Sequence, residues 1–206
     1  NMIFELSEKG KAEGPNLNLI FNESNFKYFE EHPAISNAKG QISYDQNGIE
    51  VELETGFMLF DEEKKINLDS FSGFINMSSN PKMADFDINM DCLLIDCLEY
   101  FSMIGGEDYS FKDFNERVSG KSSINAKVQF PLSEDQSDQL IINALMKIED
   151  FGYKLNETET IIAPLAEVII SDNIISSKGE FNYSGIQSQF HIETNLEDSR
   201  LETKIL

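Results

Sequence analysis

Apolar and polar residues alternate with a period of two over much of the chain. Ile49, Val51 and Leu53 are interleaved with Glu50, Glu52 and Glu54. Phe86, Ile88 and Met90 alternate with Asp85, Asp87, Asn89 and Asp91, and Ile124, Ala126, Val128 and Phe130 with Asn125, Lys127 and Gln129. Leu140, Ile142, Ala144, Met146 and Ile148 form another such row. Leu17, Leu19 and Phe21 mark an early strand, and Phe190, Ile192, Leu196, Leu201 and Ile205 close the series. Successive side chains of a strand point to opposite faces, so each run predicts a strand with one apolar and one wet face.

Turn chemistry between these runs predicts hairpins. Asn47-Gly48 separates Gln41–Asp45 from Ile49–Glu54 and suits a type I′ turn, which needs two positive φ angles. Asp172-Asn173 separates Leu165–Ser171 from Ile174–Ser177, and Ser184-Gly185 separates Phe181–Tyr183 from a strand starting near Gln187. Hairpin after hairpin is a meander, and a meander pairs its strands antiparallel. Two segments depart from the alternation. Glu23–His32 holds Phe26, Tyr28 and Phe29, stops before Pro33, and has Ser24 placed to cap it. Leu93–Ile104 holds Leu94, Leu98 and Phe101, with Gly105-Gly106 beyond. Both are expected to be short helices. Each is followed by a Gly that opens a strand, Gly40 and Gly120, which reads as a repeat of helix plus β-meander over about 23–92 and 93–206. Gly105–Ser119, with Tyr109, Phe111 and Phe114, reads as the longest loop. The expected fold is mainly β: a curved, groove-like antiparallel meander with two short helices, forming a single β-rich segment over residues 1–206.

Composition narrows the function. The 37 acidic and 16 basic residues leave a net charge of −21. That argues against nucleic acid, whose phosphates require clustered Lys and Arg, and against electrostatic docking on an anionic membrane. No apolar run is long enough to span a bilayer, and no signal peptide is visible. Asn1 ahead of Met2 reads as an addition, and the chain as a piece cut from a longer protein. The two cysteines, Cys92 and Cys97, would lie on opposite faces of an extended strand, and a helical turn between them leaves poor bridging geometry, so two buried thiols are expected.

No catalytic constellation is assembled. His32 and His191 stand apart without further ligands at metal-site spacing. Asp85, Asp87, Asn89 and Asp91 resemble the start of a calcium loop, but Met90 stands where that loop needs Gly and no Glu closes it; strand alternation accounts for the spacing better. Nucleophile-elbow, phosphate-loop and dinucleotide motifs are missing, and the absence of Trp removes the usual sugar platform. Sequons at Asn22, Asn76, Asn156 and Asn182 fit chance in a chain rich in Asn and Ser. No cofactor and no metal are expected, and the chain reads as non-enzymatic. What remains is apolar surface on strands. It fits either an ordinary core or an open groove for an acyl chain; the scarcity of helical cover favours the groove, and a sandwich would remove that argument.

Several stretches, taken in order, resemble the AsmA-like family of bacterial envelope proteins, in particular its large YhdP-like and TamB-like members. Phe26–Pro33 followed by Asn37–Ile42 is similar to the family's short helix before a Gly-opened strand. Ile66–Gly73 resembles a strand leading to a small Gly-containing turn, and Asp96–Phe101 a second short helix. In Val118–Leu132 a Gly-opened strand ends in Pro131-Leu132 and a long apolar strand follows; Ser177–Phe181 is similar to a recurring strand start. The family's membrane anchor and long repeated body are not in this chain. The resemblance implies an excised, periplasmic part of an inner-membrane-anchored protein, serving phospholipid transport and outer-membrane lipid homeostasis or biogenesis in the cell envelope. Its partner would be phospholipid or another acyl lipid, with membrane contact through parts outside this chain. Lipid contact is then expected at Ile49, Val51, Leu53, Phe86, Ile88, Met90, Ile124, Ala126, Val128 and Phe130. The alternatives are a structural or adhesive β-domain with a closed core, and a carboxylate-based hydrolase.

Overall fold

A computed structural model describes residues 2–7, 16–27, 33–60, 64–105, 117–132, 141–171, 174–195 and 200–205. The chain is mainly β, as the alternation predicts. Its strands are β1 (Met2–Ser7), β2 (Asn16–Phe26), β3 (Ile35–Tyr44), β4 (Gly48–Leu59), β5 (Lys65–Asn76), β6 (Met83–Leu93), β7 (Val118–Pro131), β8 (Ile141–Lys154), β9 (Thr160–Ser171), β10 (Ile174–Tyr183), β11 (Ile186–Asn195) and β12 (Arg200–Ile205). They form one sheet whose spatial order is the chain order. Among the described residues one helix occurs, α1 (Leu94–Gly105).

The second predicted helix is thus present; the described part of the first, residues 23–27, is not helical. Glu23–Phe26 is the end of β2, while residues 28–32 lie outside the described residues. Pairing with β3 outweighs the local helix signal: Ser24 faces Ala38 and Phe26 faces Ile35. The Ser24 hydroxyl donates to the Asn22 carbonyl at 3.3 Å instead of capping a helix. The register shifts between Phe21 and Ser24, and Glu23 takes φ 50°, which marks a β-bulge. Gly40 and Gly120 do not open strands either, since β3 begins at Ile35 and β7 at Val118.

The hairpins stand where the turn signals put them, with different chemistry in one case. Ser184 (φ 52°) and Gly185 (φ 83°) supply the two positive φ angles of a type I′ turn, with Tyr183 paired to Ile186. Asn47 and Gly48 do not. The β3–β4 turn is built on Asp45, whose carboxylate accepts the Asn47 N–H at 2.8 Å and the Gly48 N–H at 3.1 Å, and whose own N–H donates to the Gly48 carbonyl at 3.0 Å. An Asx-type turn of this kind needs no left-handed residue. The β9–β10 hairpin is present, with Ser171 paired to Ile174; Asp172 and Asn173 lie outside the described residues, as do most of the predicted long loop (106–116) and His32.

The chain divides into two compact units. Unit 1 comprises Asn1–Glu63, Asn67–Met90 and Ala126–Ile142; unit 2 comprises Lys64–Ile66, Asp91–Asn125 and Asn143–Leu206. Unit 2 holds a core cluster of Leu94, Val118, Ile148 and Ala166, with Leu98, Met146, Phe151, Tyr153, Val168 and Phe190 packed against it. Its alternation changes phase within β8. Asp150, at φ 51°, lies between the pairs Glu149–Leu165 and Phe151–Ala163, opposite Pro164. Proline has no N–H for the ladder and belongs at such an irregularity. The irregularity lets both Ile148 and Phe151, three residues apart, serve the same core.

The cysteines correct another expectation. Cys92 and Cys97 form a disulfide, with Cα atoms 6.1 Å apart. Neither the all-strand nor the all-helix geometry applies. Cys92 stands near the end of β6, the chain turns at once into α1, and that corner brings the fourth helical residue back to the strand within bridging reach.

Candidate apolar lipid-binding face

The polar face of unit 1 explains why its carboxylates are so regularly spaced. On β3 and β4, Lys39 pairs with Glu54, Gln41 with Glu52, and Ser43 donates to Glu50 at 3.3 Å. On β5–β7, the Asn89 amide donates to Ser70 at 2.8 Å, Gln129 donates to Asp85, and Lys127 lies 3.6 Å from Asp87. The acidic run on β6 is therefore one side of a strand, laced to its neighbours by side-chain bonds. Among the described residues no group of three or more His, Cys, Asp or Glu side chains is arranged to hold a metal.

Alternation then fixes the opposite face. With Lys127 and Gln129 engaged on the polar side, Ala126, Val128 and Phe130 must point to the other. The predicted contact residues divide by position along their strands. Leu53 on β4, Met90 on β6, and Ile124 and Ala126 on β7 are buried, at 5–8% exposure. Ile49, Val51, Phe86, Ile88, Val128 and Phe130, further along the same strands, are only half-buried. All but Ile124 belong to unit 1, whose described residues are strands, turns and connections without a helix. The half-open end is where the aromatic rings collect. Phe71 stacks on Phe86 with centroids 5.3 Å apart, and Phe86 lies 5.7 Å from Phe130 at a tilted angle.

Phe71 and Gly73 are the members of this face that the sequence did not point to. Ile66–Gly73 was expected to lead into a turn, but Gly73 lies inside β5. A Cβ there would run into the ring of Phe86, so the glycine makes the room in which that ring lies across β5. The signal was available in Phe71, Gly73 and Ile75, whose alternation is out of step with Ile66 and Leu68. Gly179 is used the same way in unit 2. It is mid-strand in β10, not at a strand start, and a Cβ would come within 2.7 Å of the Phe190 ring.

Among the described residues, the groups with displaced pKa values are Asp45, Glu167 and Tyr183, and none of them is a residue of this face. The Asn47 N–H, followed by that of Gly48, holds the Asp45 carboxyl below its ordinary value. The Lys178 ammonium, 2.9 Å from Glu167, lowers that carboxyl. The Glu159 carboxylate, accepting from the Tyr183 hydroxyl at 3.0 Å, raises the phenol. A cleft of about 510 Å³ on β2–β5 includes Asp45 and Glu50, but the first caps a turn and the second accepts from Ser43. His191 is half-buried, 3.8 Å from Glu193.

No helix among the described residues is long and apolar enough to cross a membrane. Compared with known proteins, the chain matches no family model, no curated protein and no solved structure.

Proposed function

We propose that this chain is a non-enzymatic, periplasmic segment of an AsmA-like envelope protein. In this reading it holds or conducts phospholipid along the apolar face of its sheet, which would curve into a groove. The observation that carries the reading is the half-open row Ile49, Val51, Phe86, Ile88, Val128 and Phe130, in a unit whose polar face is already satisfied by its own cross-strand bonds. A surface of this kind favours an acyl chain by removing it from water, about 0.8 kcal/mol for each CH₂ buried. No bond is made or broken, so no acid, base or nucleophile is required. The aromatic cluster offers flat apolar area at low entropic cost. The Cys92–Cys97 disulfide supports an oxidising compartment such as the periplasm.

A fluorescent fatty acid tests this reading. It is expected to bind the detergent-free protein, to bind Phe86→Asp at least about tenfold more weakly through charge placed in the apolar seat, and to bind Glu52→Gln as it binds the parent. Equal binding by all three, or by none, would remove the apolar face from the mechanism.

A closed-core β-domain remains the second reading. The helix-covered cluster of Leu94, Val118, Ile148 and Ala166 in unit 2 favours it there.

A further inference from the structure

Unit 2 has a helix over apolar strand residues, and that helix has little to hold it by itself. It is 12 residues long, near the lower limit for an isolated helix in water. Leu93 precedes it where a capping Ser, Thr, Asp or Asn would be expected, and its last turn carries no basic residue against the dipole. Its first half is instead fastened to the rest of unit 2. Leu94 lies in the buried cluster, and Asp96, 3% exposed, accepts the Lys65 N–H at 3.3 Å. Glu99 pairs with Lys64 at 2.8 Å, and Cys97, fully buried, is bonded to Cys92 of β6.

We propose that α1 is a disulfide-locked cover. The Cys92–Cys97 bond sets the angle at which the helix leaves β6, and so keeps Leu94 and Leu98 on Val118, Ile148 and Ala166. Reduction by an external dithiol frees the corner and exposes those residues to an apolar ligand. In that step a thiolate of the dithiol attacks one cysteine sulfur and the other cysteine leaves as a thiolate. Closure of the reductant's own disulfide then releases the first. Two electrons and two protons pass from the dithiol to the cysteines. The exposure step rests on the reading of apolar sheet faces as acyl seats; the lock does not.

The test compares the untreated chain, the dithiothreitol-treated chain and a Cys92→Ser/Cys97→Ser variant by amide hydrogen exchange and by titration with a fluorescent fatty acid. The untreated chain is expected to take up no alkylating reagent. On reduction or substitution, exchange in 94–99 should accelerate about tenfold or more while β8–β10 keep their protection, and additional fatty-acid sites should appear. Alkylation of the untreated chain, unchanged helix exchange, or equal loss of protection in β8–β10 would overturn the lock. A freed helix without added fatty-acid sites would overturn the exposure step. If the untreated chain still bound the probe, the reading of unit 1 would stand; if nothing bound in any form, that reading would fall separately.

Discussion

At the scale of single residues, position on a strand decides consequence. Val128 is flanked by Lys127 and Gln129, both committed to partners on the polar face, so its own side chain belongs to the apolar one. Val128→Asp puts a charge at a half-buried apolar site. It is expected to cost about 1–2 kcal/mol, read as a lower urea midpoint, and to weaken binding of a fluorescent fatty acid. A variant that melts and binds like the parent would place Val128 in water. Asp45 carries a pH dependence. Its folded pKa lies below the ordinary 3.8 because the Asn47 and Gly48 N–H groups favour the carboxylate. Its contribution is therefore present above the unfolded pKa and is lost as pH falls through the folded one. Asp45→Ala should narrow the stability gap between about pH 6 and pH 3 relative to the parent; an unchanged gap would show that the turn does not depend on that carboxylate.

At the scale of elements, alternation reveals what stays regular and misses what does not. The rows on β4, β6 and β7 were legible because every second residue is apolar and the partners are regular antiparallel strands. The strand end at Glu23–Phe26 was not, because Ser24 ahead of Phe26, Tyr28 and Phe29 carries a local helix signal that pairing with β3 through a bulge outweighs. The disulfide was hidden for a related reason: it depends on a strand-to-helix corner that neither periodicity describes. The resemblance placed Gly73 in a turn and Gly179 at a strand start, whereas each sits mid-strand and leaves space for a phenylalanine ring. Turn type was half legible. Ser184-Gly185 is a type I′ turn with a non-glycine residue at its first positive φ. Asn tolerates that conformation better, so Ser184→Asn is expected to raise stability by about 0.5 kcal/mol. A lowered thermal midpoint would contradict the assigned turn.

At the scale of the whole molecule, a sheet ordered along the chain gives every strand except β1 and β12 two neighbours. The net charge of −21 makes such a surface self-repelling. The candidate contact residues were legible as a face, but not as a graded one. Burial at Leu53, Met90 and Ala126, and partial exposure at Ile49, Phe86 and Phe130, depend on which strands lie side by side. That gradation leaves one end of the row half-open.

Whether this apolar face takes an acyl lipid is read by mass spectrometry of organic extracts from the purified, detergent-free protein. Phospholipid or fatty acid is expected in stoichiometric amount, reduced in Phe86→Asp. A clean extract from a protein that also fails to bind added fatty acid would contradict that expectation and make the apolar rows an ordinary core.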